Sequence, residues 1–200
     1  MDKNGFRWLI VGLLLSACNV FEVFTYLPLQ QDSKPTITTY RNERFNFELD
    51  YPTDWFVEEH DDMAMFTSFQ LGTLSGVEGV PSEHTKIDFH FPDTNQGLTF
   101  ENFISQSVSN EYCIPNDPYI FMLDNGGQAV EIIASSDMGG THAIINLDLE
   151  GRYFRFVAFG NLASIRDIAR SLRSISPSEI NDYEYDFDKS AVILPENHCD

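Results

Sequence analysis

The residues able to do chemistry in this 200-residue chain are three cysteines, five histidines and two dense runs of acids. Glu58, Glu59, Asp61 and Asp62 surround His60, while Asp182, Glu184, Asp186 and Asp188 alternate with Tyr183, Tyr185 and Phe187. Oxygen-rich runs suit a hard cation, and calcium takes about six to eight oxygens. The helix–loop–helix type of calcium loop needs glycine at its sixth position, where Phe187 stands, so the tail is not such a loop. Solvated charge accounts for both runs, and calcium is a candidate ligand only. No His-Glu-x-x-His, Gly-x-Ser-x-Gly, Gly-x-x-x-x-Gly-Lys or Cys-x-x-Cys pattern is present. Gly72-Thr73-Leu74-Ser75-Gly76 comes nearest to a serine elbow but has the wrong spacing. His60, His84, His90, His142 and His198 read as solvated side chains, and nothing singles out a base for Cys113. The sequence therefore predicts no catalytic residue and a chain that is not an enzyme.

Cys18 has a different context. A short positive segment with Lys3 and Arg7 precedes the apolar run Trp8 to Leu15, and Ser16 and Ala17 are small. These are the parts of a secretory signal, and the run is shorter than the roughly 20 residues a bilayer span needs. Leu15-Ser16-Ala17-Cys18 resembles the bacterial lipobox, whose cysteine thiol receives a diacylglycerol after cleavage. The resemblance implies a signal peptide over 1–17 and lipidation at Cys18. It implies an extracytoplasmic position, held to a bacterial membrane by acyl chains of the palmitate kind. One acyl chain holds weakly, at about 0.8 kcal/mol per buried methylene, so several on one cysteine are needed for stable anchoring. Residues 18–36, interrupted by Pro28 and Pro35, then read as a tether.

The formal charge is −19, and cutting before Cys18 removes one acid, Asp2, and two bases, Lys3 and Arg7. A field of that sign repels nucleic acid and favours cations or basic partners. With Cys18 lipidated, Cys113 and Cys199 remain in a compartment where disulfides persist. A bridge between them would close a loop of about 86 residues and add about 4 to 5 kcal/mol by chain entropy; two free thiols are the alternative.

The pattern predicts one domain over 37–176, followed by an acidic tail over 177–200. Phe45, Phe47, Leu49 and Tyr51 alternate with polar residues, as do Met63 to Leu71 and Ile87 to Phe91, which predicts half-buried strands. Trp55 to Glu58 adds a short strand. Thr99 is a predicted N-cap of a helix to about Val108, with Leu98 able to staple against Phe103. Tyr119–Leu123 and Gln128–Ser135 form a predicted hairpin through Asp124-Asn125-Gly126-Gly127. His142–Leu149 and Tyr153–Phe159 turn at Glu150-Gly151 and are apolar on both faces, as central strands covered on two sides would be. Ile165, Ile168, Ala169, Leu172 and Ile175 mark a closing helix capped by Asn161 or Ser164 and ended by Pro177, with Arg166, Asp167, Arg170 and Arg173 facing out. The predicted class is α+β, a sandwich of one largely antiparallel β-sheet with helices packed on its faces. Acid–aromatic alternation in the tail suits an edge strand, added to its own sheet or to a partner's.

The stretch Tyr40-Arg41-Asn42-Glu43-Arg44-Phe45-Asn46-Phe47-Glu48-Leu49-Asp50-Tyr51-Pro52-Thr53-Asp54-Trp55 resembles the opening of PsbP-like domains, an alternating strand ending in Tyr-Pro-x-x-Trp. Arg155 to Ile175 looks like that family's closing strand and helix, and Asn46 stands where the family usually has glycine. The resemblance implies a PsbP-like fold and a non-catalytic binding or assembly module for an envelope or membrane component. In photosynthetic relatives such domains dock on the oxygen-evolving complex and influence calcium and chloride retention. The resemblance transfers no site residue. A calcium-responsive binding protein is the alternative reading, and an unrecognised hydrolase a more distant one.

Overall fold

The computed structural model describes residues 35–71, 80, 83–91, 97–108, 112–136, 140–176 and 188–194. The strands are β1 (Ile37–Asn42), β2 (Phe47–Pro52), β3 (Phe56–Glu59), β4 (Met63–Thr67), β5 (Lys86–His90), β6 (Tyr119–Met122), β7 (Gln128–Ser136), β8 (Gly140–Leu149), β9 (Arg152–Phe159) and β10 (Arg173–Ser174). Two helices are interspersed, α1 (Phe100–Gln106) between β5 and β6 and α2 (Leu162–Arg170) between β9 and β10.

The strands form two sheets rather than the single one expected. The larger has the order β3-β4-β5-β9-β8-β7-β6 and the smaller the order β1-β2-β10. Every described pairing is antiparallel. The alternating run begins pairing at Phe47 rather than Phe45, and β1, which the sequence left unassigned, supplies its partner. Phe47 and Leu49 of β2 point down onto Phe66, Phe89, Phe154 and Phe156 of the large sheet. The Phe47 ring lies 5.1 Å from that of Phe89 and 5.2 Å from that of Phe154. Much of one face is thus covered by the small sheet, with α2 contributing Ile165, Ile168 and Ala169 to the same cluster. Helices are the lesser part of the cover, which corrects the expectation that they form it.

The opposite face carries a second core in which Phe100 and Ile104 of α1 meet Val130, Ile132, Ile144 and Tyr153. The central strands are covered on both sides, as their two-faced apolarity predicted: β8 is buried from His142 to Leu149. Trp55 packs half-buried against the first core, in keeping with a packing role.

Local chemistry sets the ends of the elements. Thr99 caps α1 by accepting from the Asn102 N–H, and Asn161 caps α2 by accepting from Ala163 and Ser164. The closing helix stops at Arg170, before Pro177. Ser171 ends it by donating its hydroxyl to the Ile168 carbonyl, and Arg173–Ser174 leave the helix to pair with Glu48 and Phe47. Glu150 (φ 54°) and Gly151 (φ 74°) close the β8–β9 hairpin in the left-handed pair of conformations that suits the twist of the strands. Among the described residues, no helix is long and apolar enough to cross a membrane.

Candidate functional site

A polar group lies on the α1-bearing face, where the apolar pattern of the inner strands is broken by Asn146 and Arg155. Strand register puts Arg155 opposite His90 on one side and Asn146 on the other. Its Nε donates to Asn146 Oδ1 (3.2 Å), and its Nη2 donates to the Phe103 carbonyl (3.2 Å), one of the last carbonyls of α1. The guanidinium also lies 4.5 Å from the centre of the Phe103 ring. Asn146, fully buried, donates to Ser107 Oγ (3.1 Å) at the end of the same helix. Arg155 and Asn146 thereby satisfy the C-terminal end of a seven-residue helix that is too short to be stable alone. Burial pulls the Arg155 guanidinium below its usual value.

His90 borders this group. Burial holds its imidazole below the ordinary histidine value, with Asp88 and Asp62 opposing the shift and Arg155 and Lys86 assisting it. Lys86 donates to Asp88 at 2.8 Å. The neighbours of His90 are charge partners and helix anchors, which gives it a structural setting. His142 corrects the expectation of five solvated histidines: it is buried in β8, its ring 5.0 Å from Tyr112 and 5.4 Å from Phe159.

The first acidic run is partly strand, not loop. Glu58 and Glu59 end β3, so successive side chains point to opposite faces. Glu58 pairs with His60 (3.4 Å), and Glu59 accepts from Asn42 Nδ2 (3.2 Å). Asp61 and Asp62 use their main-chain carbonyls, accepting from Arg44 and from the Phe91 N–H. Among the described residues no three His, Cys, Asp or Glu side chains come together to hold a metal ion. Asp188 Oδ1 accepts from the Ser190 N–H (2.8 Å) and hydroxyl (2.6 Å), which draws its carboxyl below the usual range. Asp182, Glu184 and Asp186 lie outside the described residues, as do Cys18 and Cys199. Cys113 exchanges two main-chain hydrogen bonds of 2.9 Å with Ser135 beside the second core.

Sequence reasoning missed three functional-looking features. Arg155 and Glu131 are charges inside strands that are otherwise apolar on both faces, and that interruption was the available signal. The third feature is the outer edge of β6, where Tyr119, Ile120 and Met122 are 48%, 40% and 52% exposed. β6 ends the large sheet, so its outer main-chain groups face no described strand.

No family model matches the chain, and neither does any curated protein. Among solved structures it is similar to the solution structure of cyanobacterial PsbP (CyanoP) from Synechocystis sp. PCC 6803. That match has a TM-score of 0.44 and 12% identity, covering 72% of this chain and 95% of the other.

Proposed function

We propose that the chain is an extracytoplasmic lipoprotein, anchored through Cys18, whose PsbP-like domain binds or helps assemble another envelope or membrane component without catalysis. The observation that carries the binding reading is the β6 edge. Three half-exposed apolar side chains fall within four residues of an edge strand whose outer hydrogen-bonding groups are unmatched by a described strand. Edges of this kind are normally blunted by charge, proline or a covering element, because they template pairing with another chain. The occupant it suits is an extended strand of a partner protein, which would gain main-chain hydrogen bonds and cover Ile120 and Met122. The anchor reading rests on the residues around the lipobox, and the family reading on residues 40–55 and 155–175.

A photo-crosslinking residue in place of Met122, used in native membranes, should give one adduct of defined mass. The same residue at Leu71, also exposed, should not. Ile120→Lys should abolish the adduct. Adducts of equal yield at both positions, or none at Met122, would overturn the binding reading. For the anchor, Cys18→Ala should abolish labelling by a radioactive fatty acid and release the protein from membranes; unchanged labelling sinks that part. Turnover in a broad hydrolase substrate screen would overturn the non-catalytic part.

A further inference from the structure

The β6–β7 hairpin fixes which groups of the open edge are on offer. The Leu123 N–H donates to the Gly127 carbonyl (2.7 Å), which makes these two a bonded pair. Antiparallel pairs alternate between bonded and non-bonded. With Phe121 opposite Ala129 and Tyr119 opposite Glu131, Tyr119 and Phe121 therefore spend their main-chain groups on β7. Those of Ile120 and Met122 point outward, away from β7. The open stretch is closed at both ends: Pro118 has no N–H to give, and the Asp124 N–H is taken by the Arg170 carbonyl (2.9 Å). An added strand is thereby confined to the length opposite residues 119–123.

The two faces of that edge ask for different side chains, because neighbours on a strand point to opposite sides. Ile120 lies opposite Val130 of the second core, and Ile120 and Met122 are the half-exposed pair on that face. Residues set beside them must be apolar. Tyr119 and Phe121 lie on the α2 face, with the Arg166 guanidinium 4.9 Å from the Tyr119 ring centre and that of Arg170 5.3 Å from the Phe121 ring centre. Arg166 is committed to Glu131 by its two-pronged pair. Arg170 meets Asp167 at 3.4 Å, an exposed i,i+3 contact of the kind that contributes little and exchanges easily. A new strand would lie about 4.8 Å beyond β6, which brings the side chain opposite Phe121 within reach of Arg170. Arginine favours a carboxylate there. A second copy of this chain is a poor occupant: it carries −19 of its own, and pairing along the four residues of β6 buries far less than the roughly 800 Å² per partner of a stable interface. We infer that the β6 edge takes a short extended segment of another protein, apolar beside Ile120 and Met122 and carrying one carboxylate opposite Phe121, which pairs with Arg170. This rests on the binding reading of the edge and adds the chemistry of what binds. The charge of the whole chain favours basic partners; Arg170 reverses that preference at this one position.

The test uses the full chain extracted from membranes and three capped synthetic peptides, Thr-Val-Glu-Val-Thr and its Gln-centred and Lys-centred counterparts. Binding is followed through the amide resonances of Ile120 and Met122. The Glu-centred peptide should shift both amides and bind at least about threefold tighter than the Gln-centred one, with the Lys-centred peptide weaker still. In Arg170→Gln the Glu-centred and Gln-centred peptides should bind equally, while the Gln-centred peptide binds as it does to the parent; that cycle isolates the pair. Equal binding of all three peptides to the parent would overturn the carboxylate assignment and leave the edge standing as a binding surface. So would a glutamate preference that survives Arg170→Gln. In native membranes, the segment captured by the photo-crosslinking residue at Met122 should hold an acid between two apolar residues. A basic residue at that centre, or a segment of this chain or of a second copy, would overturn the assignment. No shift with any peptide while the adduct forms would overturn this inference alone; no adduct at all would remove the binding reading and this inference with it.

Discussion

Arg166 reaches from α2 to Glu131 on β7 in a two-pronged ion pair, Nε to Oε2 at 2.5 Å and Nη2 to Oε1 at 2.8 Å. The Glu131 side chain is 1% exposed and that of Arg166 33%. The Glu131 hydrogen bonds push the arginine above its already high value, and Tyr119 covers the guanidinium at 4.9 Å. The pair therefore fixes α2 against the β6–β7 hairpin. Arg166→Ala leaves a carboxylate buried without its partner and should cost about 2 to 3 kcal/mol, the lower end for a buried pair because the arginine side is partly solvated. Adding Glu131→Gln to Arg166→Ala should recover part of that loss. Urea unfolding of the single and double variants measures both; equal stabilities would mean water replaces the arginine fully.

Asn46 joins the two sheets from a left-handed position. Its φ is 50°, its side chain both donates to and accepts from the Ser176 main chain, and its carbonyl takes a hydrogen bond of 3.0 Å from Arg152. The same Arg152 Nη1 also donates to the Phe45 carbonyl at 2.7 Å. Asn46→Ala should cost about 1 to 2 kcal/mol, losing both side-chain bonds and placing a Cβ without local compensation at positive φ. Asn46→Gly should cost less, because the conformation is then free although the bonds are gone. Thermal unfolding ranks the three; Ala equal to Gly would mean the side-chain bonds dominate.

Asn46 also shows how far the sequence can be read. In the sequence it is one asparagine in a polar turn, and only the structure shows its left-handed backbone and engaged side chain. Strands were legible where one face is apolar, as in Phe47, Leu49, Ile87 and Phe89, and hairpins where turn residues demand positive φ, as at Glu150-Gly151. β1 was illegible because its residues, Ile37-Thr38-Thr39-Tyr40-Arg41-Asn42, are mostly polar, so the alternation of its burial in the fold has no counterpart in hydropathy. The closing helix was drawn too long, since Leu172 keeps helical spacing although its N–H donates to the Ala169 carbonyl in a tighter turn after the Ser171 cap. At the site, the acidic runs drew attention by density, whereas Glu131 and Arg155 needed cross-strand register to reveal their partners. Sequence spacing does not contain that register.

His90 should make stability fall on the acid side. Its folded-state value lies below the ordinary 6.5, so between the two values the unfolded chain binds more protons and stability rises with pH. Its contribution is fully present above about pH 6.5 and is lost as pH falls below that. Asp88, Asp62, Lys86 and Arg155 set the field it feels. His90→Gln should flatten the change in urea stability between about pH 7.5 and 5.5 relative to the parent. Asp50, held below the usual carboxylate range chiefly by hydrogen bonds from Arg173, acts lower, and its contribution disappears only as pH drops through about 4 and below. An unchanged slope in His90→Gln would remove His90 from the account.

Calcium offers a direct contrast between the binding readings. For soluble protein spanning 19–200, added calcium and magnesium should raise the melting temperature weakly and to the same extent, by screening its formal charge of −20, the full chain's −19 less the two bases Lys3 and Arg7 and the one acid Asp2. A saturable, calcium-selective rise would instead mean linkage of an ion to the folded state. Deleting residues 177–200 and, separately, replacing Glu58, Glu59, Asp61 and Asp62 by neutral amides would then locate the ion in the tail or in the first acidic run.

Gly160 is the position where one methyl group should do most damage. It sits between β9 and α2 at φ 103°, and a Cβ built there would run into the His84 carbonyl oxygen and lie 3.0 Å from Thr85 Cα. Both obstacles are main chain, so no rotamer change relieves them, and the conformation itself is one that L side chains avoid. The neighbouring contacts tie the two segments further: Asn161 donates its N–H to Thr85 Oγ1 and then caps α2. To admit a Cβ, the approach to β5 must move away from the start of α2, which disturbs the cap as well. Gly160→Ala should therefore cost about 3 kcal/mol or more. Gly126→Ala provides the control: its φ of 95° is also left-handed, but nothing lies within 4 Å of the added carbon. That substitution carries only the backbone penalty, about 1 to 2 kcal/mol. Urea midpoints of the two variants separate close packing from backbone strain, and equal losses would mean that the segment at His84 yields.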